Sequence, residues 1–183
     1  MNAPAYIGIA NAVTLEQILA ARELRATRQA AALARFARPL VSVTVVMPGP
    51  VKDSALPRRV LTEALTEIDS VVSIRTWPVL SREVSWQETG PEALYVIDMQ
   101  SDHVKSVMIA LEDRHRLGRL WDLDVIACGP RILSRKELHF GPRRCLVCER
   151  PASECARSRR HPLPQLLETM QTMLDEYDRH LYA

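Results

Sequence analysis

The stretch SDHVKSVMIALEDRHRLGRLWDLDVIA, residues 101–127, decides the fold of this chain. Its first half follows Ser101, a residue that can cap a helix. Apolar side chains then recur at helical spacing, at Val104, Val107, Met108 and Leu111. Gly118 interrupts this pattern, and residues 120–127 have the β-rich, partly alternating pattern of a strand. The stretch therefore predicts a helix, a glycine turn and a strand.

Two aspartates on this strand, Asp122 and Asp124, are its sharpest feature. Residues two apart share one face of a strand, so the two carboxylates lie side by side. Such a pair repels unless a cation joins it, and its oxygens suit Mg²⁺ held together with substrate phosphates. The pair predicts metal-assisted displacement at a phosphorus atom. The alternative interpretation is an ordinary strand with a solvated acidic face.

The order of helix, glycine and strand resembles the entry to the catalytic strand of the nucleotidyltransferase superfamily. Arg119 stands where that superfamily usually has Ser or Gly, and the gap from Gly118 to Asp122 is short. We predict a nucleotidyltransferase-like α+β fold, with a mixed sheet and flanking helices, to which a Cys-His loop and a C-terminal helix are added. Residues 1–140 are expected to form the catalytic core, and residues 141–183 the loop and helix packed on it.

The other elements are predicted from periodicity and caps. Thr14 and Gln17 read as a capping box, so a helix is expected from there to about residue 37. Pro57 is expected in the first turn of a second helix. The last helix is expected over residues 163–181. We predict strands at residues 40–47, 71–77, 93–99, 120–127 and 132–138. Residues between the second and third of these strands are expected to form a hairpin-like loop.

Composition excludes several classes of protein. With 183 residues, 47% of them apolar, the chain is long enough for one domain with a real core. No apolar run approaches the ~20 residues of a membrane span, and no signal peptide is recognisable at the N-terminus. We therefore expect a cytoplasmic protein without a membrane partner. A formal net charge of only +2 argues against a protein that coats nucleic acid.

Three of the four cysteines are followed by a histidine in the pattern Cys145-x2-Cys148-x6-Cys155-x5-His161. Two thiolates two residues apart can bind one tetrahedral ion from a tight turn, and a second pair completes a Cys₃His shell. A full shell of this kind indicates a structural Zn²⁺. The alternative interpretation is a set of reduced thiols in an irregular loop.

A second candidate for phosphate binding is the loop PGPVKDS, residues 48–54, between a predicted strand and a predicted helix. It offers Lys52, Ser54 and free backbone N–H groups close to a helix start. Arg58 and Arg59 follow in the first turn of that helix. The loop lacks the second glycine and the Lys-Ser/Thr pair of a Walker A motif, and the alternative is a plain strand-to-helix turn.

Five segments together resemble one family, the apo-citrate lyase phosphoribosyl-dephospho-CoA transferases, which are the holo-acyl-carrier-protein synthases of the citrate lyase system. The segments are RELRATRQ, TVVMPGPVKDS, HRLGRLWDLDV, ILSRKE and RRCLVCERPASECARSRRH, in this order along the chain. The likeness runs from about Thr14 to the last helix, and residues 70–90 carry little of it.

This resemblance implies an enzyme of the nucleotidyltransferase type. Its donor is 2'-(5''-triphosphoribosyl)-3'-dephospho-CoA, and its acceptor is a serine of the acyl-carrier (gamma) subunit of citrate lyase. The serine hydroxyl attacks the phosphorus nearest the ribose, a phosphodiester forms and pyrophosphate leaves. The Cys-His cluster is also part of the family pattern.

Matched residue by residue, the resemblance assigns candidate roles. Asp122 and Asp124 become ligands of Mg²⁺. The triphosphate is assigned to Lys52, Arg58, Arg59 and Arg119. The first helix supplies further cations for phosphate or for an acidic carrier: Arg22, Arg25 and Arg28. His115 is expected to assist the incoming hydroxyl, and Glu137, on the predicted strand at residues 132–138, is expected as a third carboxylate.

Two alternatives remain at this point. The related transferase that modifies the carrier subunit of malonate decarboxylase uses the same donor and a similar Asp-x-Asp, although the Cys-His segment argues against it. The other alternative is a zinc-knuckle module that binds nucleic acid through residues 143–160, where six arginines lie. That segment contains no aromatic residue on which a base can stack, so no nucleic-acid partner is expected.

Overall fold

A computed structural model of the chain describes residues 12–181, which form an α+β structure with one five-stranded sheet. The helices are α1 (Leu15–Phe36), α2 (Ala55–Ile74), α3 (Ser101–Arg114), α4 (Ala152–Arg157) and α5 (Leu163–Leu181). The strands are β1 (Leu40–Val45), β2 (Val79–Gln87), β3 (Gly90–Ile97), β4 (Trp121–Ala127) and β5 (Arg131–Ile132). None of the helices in this part of the chain is long and apolar enough to cross a membrane.

The sheet has the strand order β2-β3-β1-β4-β5, and every pairing in it is antiparallel. The prediction of a mixed sheet was therefore wrong, while the α+β class is confirmed. The hairpin β2–β3 and the long returns through α2 and α3 bring each strand beside a neighbour that runs the other way. The central strand β1 lies between β3 and β4, so it sets the register of both.

The two faces of the sheet have different partners. Helices α2, α3 and α5 pack on one face, where the largest buried side chains of the core cluster include Trp121, Tyr95, Leu61, Met108 and Met170. On the other face a small apolar group from β1, β3 and β4 packs against the C-terminal half of α1. The rest of that second face is polar, because Ser42, Thr44, Glu92, Asp122 and Asp124 point the same way as this group.

Helix α1 begins as predicted. Thr14 accepts a hydrogen bond from the backbone N–H of Gln17, and the Gln17 side chain accepts one from the backbone N–H of Thr14, so the capping box is present. No residue of α1 is buried, although the helix has 22 residues. Its contact with the sheet includes several polar side chains of its middle turns. This helix is therefore docked as much by charge and hydrogen bonds as by burial of apolar surface.

Two strand predictions were wrong. Residues 71–77 form no strand, because α2 continues to Ile74 and its apolar stripe extends to Val72. Much of the expected hairpin-like loop is instead strand β2, which is largely exposed and pairs with β3 along its length. Residues 132–138 form only the two-residue strand β5, followed by a 3-10 turn at Lys136–Leu138. The helices predicted to start at Leu15 and to span residues 163–181, and the strand over residues 120–127, are confirmed within a residue or two.

Gly118 makes the turn between α3 and β4 possible. A Cβ at this position would lie 2.4 Å from the carbonyl oxygen of Leu111 and 2.6 Å from that of Glu112, both in the last turns of α3. These are backbone atoms, so no side chain can move aside to make room. The glycine therefore lets the backbone of the turn pack directly against the end of α3 before the aspartate-bearing strand β4 begins.

We predict that Gly118→Ala lowers the free energy of unfolding by at least about 2 kcal/mol, since overpacking a tight site typically costs ~1–3 kcal/mol and here the neighbours are backbone. Urea denaturation measures the change. Gly141→Ala is the matched control, because a Cβ there meets nothing within 4 Å and its backbone is not left-handed. The control should change stability by less than ~0.5 kcal/mol. Equal effects of the two substitutions would contradict the close approach at Gly118.

Candidate active site

Three strands place polar side chains in one row on the face that α1 covers. Thr44 of β1 pairs with Asp122 of β4 on one side and with Glu92 of β3 on the other. In the next row Ser42 pairs with Asp124. Both aspartates lie on the face opposite Trp121, Leu123 and Val125, which are buried in the core. The alternation expected from the sequence thus brings the two carboxylates to one side of β4.

A cavity of about 260 Å³ opens between this row and the N-terminal half of α1. Asp122 and Thr44 contribute to its floor, and Arg22 and Arg25 reach it from α1. Lys52 and the turn around Gly90 close another side. The cavity therefore places a carboxylate and three cations around one small volume.

The two aspartates differ in their surroundings. Burial raises the pKa of Asp124, and the neighbouring carboxylate of Asp122 raises it further. The side chain of Asp122 is 48% exposed and accepts a hydrogen bond of 3.0 Å from Arg143. Two carboxylates under mutual repulsion beside a cavity lined by cations fit a divalent cation held together with a phosphate.

Side chains cap the edge of β4 that faces away from β1. The backbone N–H of Leu123 donates to Glu112 at 2.8 Å, and its carbonyl accepts from Lys105 at 3.1 Å. Arg143 donates to the carbonyl oxygens of Trp121 and Arg119. Arg135 in turn pairs with the buried carboxylate of Glu112. These contacts fix the strand, and with it the positions of Asp122 and Asp124.

Sequence reasoning missed this network. Lys105 and Glu112 are seven residues apart on α3, so they lie on one side of the helix among its buried apolar residues. Charged residues inside an apolar stripe were a usable signal, because charges are rarely buried unless they are paired. The role of Arg143 had no comparable signal, since it follows a loop whose course the sequence does not predict.

Glu92 was also missed. Its side chain is 4% exposed and forms ion pairs with both Arg25 and Arg28 of α1. A buried carboxylate needs such partners, because an unpaired buried charge is costly. Glu92 thereby holds α1 over the cavity, assisted by a hydrogen bond of 3.0 Å from Gln29 to Ser42.

The predicted phosphate-binding residues fall into two groups. Arg22, Lys52 and Arg119 have no carboxylate within 4.0 Å among residues 12–181. Burial and the nearby Arg22 lower the pKa of Lys52, so these two cations lie close enough to repel. The other predicted cations are already paired: Arg25 and Arg28 with Glu92, Arg58 with Asp53, and Arg59 with Glu63 and Asp178. Ser54 caps the start of α2 without a side-chain hydrogen bond.

His115 and Glu137 lie away from the aspartates. The His115 ring stacks on Trp121 with 4.4 Å between ring centroids, on the core side of β4, and burial lowers its pKa. It neighbours Glu63 and Glu67 instead. Glu137 lies in the 3-10 turn that follows β5 and not on a strand. Its carboxylate accepts hydrogen bonds from Ser134 and forms an ion pair with Arg131. The structure therefore does not bring these two residues to the site.

The structure brings Cys145, Cys148, Cys155 and His161 together. One ligand atom from each lies within 4.8 Å of every other, and the Sγ atoms of Cys148 and Cys155 are 3.6 Å apart. Burial raises the pKa of Cys145, but hydrogen bonds from the backbone N–H groups of Val147 and Cys148 and from the thiols of Cys155 and Cys148 together outweigh it and lower that pKa to about 7. The Nε2 atom of His161 is buried and has no hydrogen-bond partner in the described part of the chain. This donor set has the composition of a tetrahedral zinc site.

Two adjacent carboxylates, beside cations that have no carboxylate partner in the described part of the chain, are typical of an enzyme that acts on a phosphorylated substrate. Comparison with known proteins narrows this class. Residues 13–177 match the sequence model of the family described as apo-citrate lyase phosphoribosyl-dephospho-CoA transferase. The chain belongs to that family.

Three relatives of that name illustrate the similarity. A protein of Citrobacter koseri is 41% identical over 168 residues, which are 92% of each chain. Proteins of Escherichia coli O7:K1 and Shigella boydii serotype 18 are each 39% identical over the same share of both chains. The family resemblance stated from the five sequence segments is confirmed.

We predict that Asp124→Asn makes the protein more stable than the wild type at neutral pH in the absence of divalent cations. The raised pKa means that the folded protein binds the Asp124 proton more tightly than the unfolded chain does. Ionisation of Asp124 therefore costs stability above its folded-state pKa, and this cost fades as the pH falls from that pKa towards the unfolded-state value near ~3.9, below which it is absent. Asn removes the charge and keeps the shape, so its advantage should shrink in acid.

Thermal unfolding of both proteins between pH 3 and pH 7.5 measures this difference. Glu83→Gln alters an exposed carboxylate on β2 of the same sheet and serves as the control, with an expected change below ~0.5 kcal/mol at each pH. A wild type more stable than Asp124→Asn at neutral pH would show that the two carboxylates do not repel.

Proposed function

We propose that this protein transfers the phosphoribosyl-dephospho-CoA group from 2'-(5''-triphosphoribosyl)-3'-dephospho-CoA to a serine of the citrate lyase acyl-carrier subunit. The proposal rests on membership of the named transferase family. One structural observation carries it: Asp122 faces a cavity that Arg22, Arg25 and Lys52 line, and Asp124 lies beside it on the same strand.

The bond changes are those of a displacement at phosphorus. The serine oxygen forms a bond to the phosphorus nearest the ribose, and the bond from that phosphorus to the pyrophosphate oxygen breaks. The serine proton passes to solvent or to a base, and pyrophosphate carries away the negative charge.

Each residue at the cavity has a task in this proposal. Arg22 and Lys52, which have no carboxylate partner among residues 12–181, bind the triphosphate and neutralise the departing pyrophosphate. Arg25 completes this group while Glu92 fixes its position. Arg143 orients Asp122, and Lys105 and Glu112 hold the strand. A bound Mg²⁺, held by Asp122 and Asp124, would supply Lewis-acid stabilisation of the phosphate oxygens.

We also propose that Cys145, Cys148, Cys155 and His161 hold a structural Zn²⁺. The buried, unpartnered Nε2 of His161 and the closely grouped thiols support this assignment. The ion would order the segment that carries Arg143. The proposed division is a core of residues 1–140 and an appended unit of residues 141–183, in which Arg143 of the second unit donates a hydrogen bond to Asp122 of the first.

Family membership favours the citrate lyase carrier over the two alternatives. The matched family is named for apo-citrate lyase and not for malonate decarboxylase. A nucleic-acid module has no comparable support, because the arginines of the loop include Arg143 and Arg144, which pair with carboxylates of this chain.

We predict that Asp122→Asn and Asp124→Asn each lower the transfer rate by ~10²-fold or more, the scale of a lost electrostatic contact at a developing charge. Intact-mass analysis of the apo carrier, incubated with enzyme, donor and Mg²⁺, follows the reaction. Each variant should remain folded by melting curve, and Mg²⁺ should raise the melting temperature of the wild type more than that of either variant. Wild-type transfer should stop with EDTA and return with Mg²⁺ or Mn²⁺.

Glu83→Gln is the matched control and should transfer at the wild-type rate, because its carboxylate lies on the exposed strand β2. Near-wild-type transfer by either aspartate variant would remove that residue from the site. A wild-type protein that modifies the malonate decarboxylase carrier but not the citrate lyase carrier would overturn the assignment of the acceptor.

We predict about one zinc per chain by elemental analysis, since structural Zn²⁺ sites contribute ~10–16 kcal/mol of apparent binding energy. Cys148→Ser should lose the zinc and lower the melting temperature. Cys128→Ser is the matched control, because Cys128 is exposed and lies outside the cluster. Metal-free wild-type protein with an unchanged melting temperature would contradict the zinc site.

A further inference from the structure

A second cavity lies on the other side of Arg143, where the Cys-His cluster meets the start of α5. Its volume is about 890 Å³, within the range of ~300–1,000 Å³ typical of small-molecule pockets. Apolar side chains from three places in the chain line most of it: Val46, Pro48, Leu146, Ala152, Ala156, Leu163 and Leu166. The loop after β1 packs closely against the start of α5 at this cavity, because a Cβ on Gly49 would lie 3.0 Å from a methyl group of Leu163.

The charged side chains that line this cavity, apart from the candidate zinc ligands Cys145, Cys155 and His161 at one end of it, are all arginines. Arg119, Arg143 and Arg159 reach it, and no Asp or Glu is among its lining residues in the described part of the chain. Burial lowers the pKa of Arg119, and the positive charges of Arg143 and Arg135 lower it further. Apolar walls with arginines at one place suit a ligand that is itself part apolar and part anionic.

Arg143 connects this cavity to the candidate active site. Its guanidinium bonds Asp122 in the first cavity's floor and also lines the second cavity. A single molecule whose reacting phosphates lie at Asp122 can therefore extend past Arg143 into the apolar cavity. The donor of the proposed reaction has this form, with a triphosphate at one end and a pantetheine arm, joined through a diphosphate to adenosine, at the other.

We propose that the cavity between the Cys-His cluster and the start of α5 binds the dephospho-CoA part of the donor, an adenine nucleotide with a pantetheine arm. The proposal rests on the proposed function. Arg119 and Arg159 bind the diphosphate, and the apolar walls bind the pantetheine arm. Arg119 is thereby moved from the triphosphate, where the sequence resemblance put it, to the diphosphate of the same donor.

The test uses dephospho-CoA, which lacks the ribosyl triphosphate and cannot react. Calorimetry should show that wild-type protein binds it, and kinetics should show competition with the donor and not with the carrier. Ala156→Phe fills the cavity from α4 and should weaken dephospho-CoA binding at least tenfold. It should raise the KM for the donor and leave the KM for the carrier unchanged.

Ser153→Phe is the matched control, because Ser153 is an exposed residue of the same helix that does not line the cavity. It should leave both KM values at the wild-type level. If melting curves show that Ala156→Phe is unfolded, Arg159→Gln is the test variant instead, and Arg157→Gln is its control. Arg159→Gln should weaken dephospho-CoA binding, and Arg157→Gln should not.

The outcomes separate this inference from the proposed function. A wild type that transfers the group but does not bind dephospho-CoA overturns the inference alone. A rise in the KM for the carrier and not for the donor assigns the cavity to the carrier and also overturns it. A wild type that binds dephospho-CoA in this cavity but modifies no carrier overturns the proposed function and leaves the inference in place.

Discussion

The electrostatic repulsion between Asp122 and Asp124 is the constraint to which the rest of the structure responds. Two carboxylates on one face of one strand are unfavourable without nearby positive charge. Each surrounding element supplies some: Arg25 from α1 and Lys105 from α3 lie within electrostatic range, and Arg143 bonds directly. The strand can carry this pair because its own backbone groups are fixed by side chains of α3 and by Arg143. The acidic pair therefore lowers the stability of the folded protein and contributes nothing to the packing of the core.

One face of the sheet carries the hydrophobic core, and the other carries the candidate active site. Helices α2, α3 and α5 bury the apolar face, including Trp121 of the aspartate-bearing strand. Helix α1 covers the other face with no buried residue of its own and is held through Glu92 and Ser42. On that side the Asp122 side chain is open to water or a ligand, whereas Glu92 and Ser42 are buried beneath α1. The His115 ring lies on the first face, where it stacks on Trp121. Its place in the sequence just before the turn at Gly118 therefore does not bring it to the aspartates.

The sequence predicted the parts of this site that depend on local periodicity. The shared face of Asp122 and Asp124, the capping box of α1 and the glycine turn follow from spacing of two to four residues. It failed where long-range pairing decides. The β-branched residues around Val71 suggested a strand, but their apolar neighbours lie on the buried stripe of α2. Glu92 and Arg143 act through partners 67 and 21 residues away, and no local pattern announces such contacts.

The capped edge of β4 has a further consequence, for the behaviour of many copies of the protein together. The neighbouring strand β5 pairs with only two residues of β4, so most of that edge lacks a strand partner. An unpaired strand edge is a template for a strand from another molecule. Because Lys105, Glu112 and Arg143 occupy the backbone groups of Trp121 and Leu123, no foreign strand can pair there. The side chains that position the acidic pair therefore also remove this edge of the sheet as a template for association between copies of the protein.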